Sequence, residues 1–98
     1  MKLFVYNTLL NHPTLVHALR YLPRIKKAKL PNALEKSYRG YPTLHRADGH
    51  SVSGEVFEVS DEGLRRLDKW EDHYRRVLVQ LADGTTADAY VVDPQKFS

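Results

Sequence analysis

The chain has 98 residues, 42% of them hydrophobic and 28% charged, which suits one compact core and leaves no room for a second domain, so residues 1–98 are expected to form a single domain. Cysteine is absent, which excludes disulfide frameworks, thiolate nucleophiles and thiolate metal sites. Fifteen Lys and Arg against twelve Asp and Glu give a net charge of +3, an excess compatible with nucleic acid but no argument for it.

No stretch approaches the ~20 apolar residues that a bilayer span needs, and the first residues lack the charged-then-apolar layout of a signal peptide. A soluble, cytoplasmic protein is expected, with no membrane partner. In chain order, Lys2 to Tyr6 is an apolar, aromatic and β-branched run that would serve as a central strand. Asn7 and Thr8 are turn and cap formers. After His12-Pro13, the recurrence of Leu15, Val16, Leu19 and Leu22 predicts a short helix ending at Pro23.

From Arg24 to His50, Pro31, Gly40, Pro42 and Gly49 divide the chain into pieces such as Ile25 to Leu30 and Ala33 to Tyr38, which read as short strands and connections. Ser51 to Val59 is a stronger strand, with Gly54 allowing a bend or bulge. Ser60, Asp61 and Glu62 open a second helix with a cap oxygen and first-turn acids where the helix dipole favours them. Tyr74 to Leu81 and Thr86 to Val92 flank Asp83-Gly84 as a hairpin, with Val77, Val79 and Leu81 facing one way. Strands interrupted singly by helices, closing on a hairpin, predict an α+β domain with a curled sheet.

The second helix carries the sharpest chemical signal. At 3.6 residues per turn, with Leu64 at zero, Leu67 falls at about 300°, Trp70 at about 240° and Glu71 at about 340°, so Glu71 interrupts the apolar stripe. Arg65, Arg66 and Lys69 occupy the opposite arc. Burial and the partial negative charge of a helix C-terminus would both raise the pKa of Glu71, which suits proton shuttling near neutrality. The alternative is a frayed helix end at which Glu71 pairs with Arg75 or Arg76.

Other chemistry is poorly supported by the residues. His12, His17, His45, His50 and His73 show no metal-ligand spacing, so no metal site is expected. No hydrolase elbow, phosphate loop or dinucleotide fingerprint occurs, so no cofactor is expected. Arg24, Lys26, Lys27 and Lys29 could follow a phosphate backbone, with Tyr38 and Tyr41 as stacking faces, but a solvated strand face is the better explanation of the charges. What remains is the loop Tyr6-Asn7-Thr8-Leu9, whose backbone N–H groups could hold a carboxylate or an oxyanion, together with the Glu71 carboxylate.

Phe4-Val5-Tyr6-Asn7-Thr8-Leu9, then Tyr41-Pro42, Val52-Ser53-Gly54-Glu55-Val56-Phe57 and Leu67-Asp68-Lys69-Trp70-Glu71 with Tyr74 and Arg76, resemble in order and spacing the gamma-glutamylcyclotransferase-like family, including its gamma-glutamylamine cyclotransferases. The resemblance runs from Leu3 to about Val92. It implies a small mixed or antiparallel β-barrel flanked by two short helices, with Glu71 as the catalytic acid and base and with Tyr6, Asn7, Thr8 and Leu9 as the substrate loop. The implied reaction is attack by the α-amine of a γ-glutamyl amine or peptide on its own γ-carbonyl, giving 5-oxoproline and a free amine without metal or coenzyme. Two residues depart from the family pattern. Asn7 replaces the usual Gly and could intrude on the pocket, while Asp72 follows Glu71 and would raise its pKa further if both face one cavity. A pocketed binding domain of the same fold without catalysis is the alternative, and a basic nucleic-acid module a more distant one.

Overall fold

Lys2–Tyr6 forms strand β1, as its β-branched and aromatic run predicts, and it lies at the centre of a five-stranded sheet. The computed structural model describes residues 1–6 and 12–97. After β1 come helix α1 (His12–Leu19), strands β2 (Ile25–Tyr38) and β3 (Tyr41–Glu58), helix α2 (Asp61–Trp70), strands β4 (Tyr74–Gln80) and β5 (Thr86–Val92), and a 3-10 turn at Pro94–Phe97. The sheet order is β2-β3-β1-β5-β4. Strand β1 runs antiparallel to β3, with Tyr6 opposite Gly54, and parallel to β5, with Phe4 opposite Ala89. The architecture is therefore the expected mixed α+β.

The expected barrel does not close. Strands β2 and β4 remain the two edges of the sheet, and the curl brings them together at one end, where the Ala82 N–H donates to the Lys29 carbonyl at 2.9 Å. A closed barrel would need a continuous ladder between those edges. Beyond this contact the seam opens into a cavity of about 720 Å³ walled by Leu30, Ala33, Leu44, Val79 and Leu81.

The alternation of β1 divides the core. Leu3 and Val5 pack with Leu15, Ala18, Leu19, Leu64 and Leu67 on the helix side, whereas Phe4 and Tyr6 join Leu30, Val52, Leu81 and Ala89 on the other. Period-2 strands make this division automatic, because neighbouring side chains point to opposite faces. In β4, Val77 and Val79 are half-buried and Leu81 just beyond is buried, while Leu78 is 72% exposed, the expected alternation.

Several local expectations are corrected. Residues 24–50, read as short pieces, belong largely to two long strands. Pro31 is tolerated because β2 is an edge strand and needs no donor on its free side, and the register shifts there between Pro31 and Ala33. Asn32 takes φ 56°, and its side-chain oxygen accepts the Gly49 N–H at 3.2 Å. Arg39 and Gly40, both at positive φ, form the tight turn between β2 and β3, as primed hairpin turns require.

Gly54 is not a bulge, since its register with β2 runs unbroken through it and that with β1 runs unbroken up to it. A Cβ there would lie 2.2 Å from the Val5 carbonyl oxygen and 2.8 Å from the Phe4 ring, so glycine is needed for the approach of β1. Helix α1 stops at Leu19 with Arg20 in the left-handed region at φ 68°, leaving Leu22 outside the helix and 65% exposed. Leu22 had continued the helical spacing, but the turn at Arg20 removes it from the buried face.

Candidate active site

Helix α2 places the carboxylate. Ser60 caps its start by accepting the Gly63 N–H at 3.1 Å, and Leu64 and Leu67 bury its inner face. The helix ends at Trp70, so Glu71 is its C-cap, at φ −100° and ψ 57°. Its N–H donates to the Leu67 carbonyl at 2.9 Å and its carbonyl accepts the Tyr74 N–H at 3.0 Å. This turn aims Glu71 off the helix and leads the chain into β4. Trp70, expected on the apolar stripe, is instead 50% exposed, its ring perpendicular to that of His17 at 5.4 Å between centroids.

Glu71 is half-buried, and among the described residues no Lys or Arg lies within ion-pair distance of it. Arg76, one of its two expected partners, binds Asp68 and Asp88 instead. Burial pushes the Glu71 carboxyl up to about 7, and the charge of neighbouring Asp72 pushes the same way. A carboxyl near 7 populates both protonation states at neutral pH, the condition for giving and taking a proton in one cycle.

Three buried phenols feel the charge of this acid. Tyr74 is pushed up to about 12 by burial and then by the Glu71 charge. Tyr6 and Tyr90 are raised above the usual phenol range chiefly by burial, with Glu71 contributing to each. All three remain protonated at neutral pH, and each donates its hydroxyl proton to a partner other than Glu71. The Tyr74 hydroxyl donates to the Pro42 carbonyl at 2.9 Å, which ties the start of β4 to β3. Tyr41, Pro42, Trp70, Asp72, His73 and Tyr74 line a cavity of about 300 Å³ with Glu71. Tyr41 and His73 meet at 4.9 Å between ring centroids, and His73 stacks on Phe97 at 4.6 Å.

Of the expected substrate loop, Tyr6 is described and is 1% exposed, with its hydroxyl donating to the Tyr90 carbonyl. Asn7, Thr8 and Leu9 lie outside the described residues. The wider cavity at the β2–β4 seam includes neither Tyr6 nor Glu71. The basic cluster Arg24, Lys26, Lys27 and Lys29 lines a different cavity, with Lys2. Tyr38 and Tyr41 are not beside it. They pack at the other end of β2, each edge-on to Phe97, so the alternative pairing of cations with stacking faces does not form.

Residue-by-residue reading of the sequence overlooked Tyr90. Its hydroxyl donates to Asp68 Oδ1 at 2.6 Å, beside Arg76 Nε, which donates to the same oxygen at 2.9 Å. The available signal was a tyrosine on the helix-facing alternation of β5, whose hydroxyl needs a partner when buried.

Fold and site together define a small α+β domain in which a curled, open sheet and the end of one helix present a single half-buried acid to a pocket. A family model described as gamma-glutamyl cyclotransferase, AIG2-like, matches residues 3–97. The chain belongs to this family. It is 36% identical over 77 residues to the gamma-L-glutamyl-butirosin B gamma-glutamyl cyclotransferase of Niallia circulans, covering 74% of this chain and 47% of that one. It is 39% identical over 64 residues to an inferred gamma-glutamylcyclotransferase of Halalkalibacterium halodurans, covering 56% of this chain and 58% of the relative. The chain thus spans about half the length of these relatives. A protein of Arabidopsis thaliana with a known solution structure shares the fold at a TM-score of 0.79 and 25% identity, over 99% of this chain and 67% of that one.

Proposed function

We propose that this protein is a γ-glutamyl cyclotransferase-like enzyme that cyclises the glutamyl group of a small γ-glutamyl amine or peptide. The observation that carries the reading is Glu71, a half-buried acid with no cationic partner among the described residues, titrating near 7 in a cavity. A purely structural carboxylate at a helix end would be expected to find a cation or open solvent.

In this reaction the α-ammonium gives a proton to Glu71 and the freed amine attacks the γ-carbonyl carbon. A new C–N bond closes the five-membered ring, and the bond to the leaving amine breaks as Glu71 returns the proton to its nitrogen. The products are 5-oxoproline and the amine, and the atoms balance without a metal or coenzyme. Backbone N–H groups of Tyr6, Asn7, Thr8 and Leu9 hold the glutamyl carboxylate and the developing oxyanion in this scheme. General acid and base catalysis contributes about 10² to 10⁴ in rate, and holding the chain curled for intramolecular attack adds a proximity gain.

Asn7, where the family pattern has glycine, favours a second reading in which the pocket binds a ligand without turnover. Incubation with a panel of γ-glutamyl amines and γ-glutamyl dipeptides separates the two. Release of 5-oxoproline supports the enzyme, and binding without release supports the second reading. Nucleic acid is a weaker candidate partner, for the separate basic cluster at Arg24, Lys26, Lys27 and Lys29, and binding that falls steeply with salt would favour it. Among the described residues, no helix is long and apolar enough to cross a membrane.

A further inference from the structure

Two elements must hold a fixed relation if Glu71 is to act on a group held at the end of β1, and one residue on β5 is bonded to both. The Tyr90 hydroxyl donates to Asp68 Oδ1 at 2.6 Å, three residues before Glu71 and on the same side of the last turn of α2. Its backbone carbonyl accepts the hydroxyl of Tyr6, the last residue of β1. We propose that Tyr90 is a positioning residue that fixes the carboxylate-bearing end of α2 relative to the end of β1, through its side chain on Asp68 and its carbonyl on Tyr6.

Asp68 is held by more than one partner. Arg76 on β4 grips it with two bonds, Nε to Oδ1 at 2.9 Å and Nη2 to Oδ2 at 3.2 Å, and reaches Asp88 on β5 with Nη1 at 3.0 Å. The guanidinium fork neutralises Asp68 and restrains it in two directions. Arg76 ties α2 to β4 and, through Asp88, to β5 at the level of Leu3 near the start of β1. Tyr90 adds a second tie to β5 nearer the end of β1, at the residue whose carbonyl accepts the Tyr6 hydroxyl. The Tyr6–Tyr90 bond is buried, whereas the Tyr90–Asp68 bond is shielded on the Tyr90 side and half-open on the Asp68 side. Loss of the buried bond is not made good by water.

The consequence falls on Glu71. Tyr74 from β4 lines its cavity with Tyr41, Asp72 and His73, and the Glu71 charge also raises the Tyr6 phenol on β1 and the Tyr90 phenol on β5. A looser last turn of α2 lets water reach the carboxyl, which relieves the burial that raises its pKa. The requirement for turnover rests on the cyclotransferase reading, whereas the bonded link from α2 to β1 does not.

Tyr90→Phe removes the hydroxyl and keeps the ring and the carbonyl, and Asp68→Asn attacks the same bond from the other side. Side-chain carboxyl NMR follows the titration of Glu71 without any substrate. Tyr90→Phe is expected to lower the pH at which Glu71 titrates by roughly half a unit or more. On a γ-glutamyl amine turned over by the wild type, kcat falls about 10- to 100-fold while KM stays within about twofold. Asp68→Asn gives the same two effects, and the double variant adds little to either. Absence of wild-type turnover on every substrate tried sinks the cyclotransferase reading, and the titration then decides the link alone. A wild-type Glu71 titration in folded Tyr90→Phe, or in folded Asp68→Asn if Tyr90→Phe does not fold, overturns the proposal, as does additivity of the two changes.

Discussion

Replacing Glu71 by Gln should make the protein more stable at neutral and alkaline pH, because the ionised carboxylate opposes folding. Burial penalises its charge and Asp72 repels it, so the folded protein holds the Glu71 proton up to about 7, against 4.5 for an unperturbed glutamate. Between those values the folded state binds more protons than the unfolded chain, and stability therefore falls as pH rises through this window and stays reduced above it. At about 1.4 kcal/mol per pH unit the gap corresponds to about 3 kcal/mol, which the partial exposure of Glu71 reduces to about 1 to 2 kcal/mol. Gln keeps the shape and removes the charge. At pH 8 the Glu71→Gln variant should melt roughly 4 to 16 °C above the wild type, with the difference nearly gone at pH 4. Thermal denaturation of both proteins across that range tests this. A variant equally or less stable than wild type at pH 8, or a gain independent of pH, would refute the burial argument.

Four further outcomes follow from the same structure. The pH profile of turnover should rise through about 7 as Glu71 ionises, and Asp72→Asn should move that rise to lower pH; an unmoved profile would show that the two carboxylates do not share a field. Arg76→Gln should cost about 2 to 4 kcal/mol in urea denaturation, because it leaves the buried Asp88 carboxylate and Asp68 without their cation. Gly54→Ala should destabilise by about 3 kcal/mol or more, since its methyl would meet the Val5 carbonyl oxygen at 2.2 Å and β1 would have to move; near-native stability would contradict the β1–β3 register. Ser60→Ala should cost about 1 kcal/mol through loss of the α2 cap.

Where local physics decides the outcome, the sequence was informative. The β-branched run of β1, the cap at Ser60, the Asp83-Gly84 turn and the alternation of Val77 and Val79 each depend on neighbours a few residues away. Glu71 was legible for the same reason, as a charge out of place on a helical period. The long strands β2 and β3 were not, because proline and glycine mark breaks locally, whereas their tolerance here depends on Pro31 lying at a sheet edge. The open seam was equally hidden, since closure depends on contacts between β2 and β4, distant in sequence. Gly54 was legible as special, but its cause, the nearness of Val5, lies about fifty residues away. Tyr90 was missed because Asp68 and Tyr6, its two partners, belong to other elements.

The central claim, that Glu71 moves the protons of a γ-glutamyl cyclisation, is tested most directly by measuring 5-oxoproline release from γ-glutamyl amines by the wild type and by Glu71→Gln side by side. Release by the wild type, with none above background from a folded Glu71→Gln that still binds substrate, is the predicted result. Release from Glu71→Gln at a near-native rate would contradict the assignment.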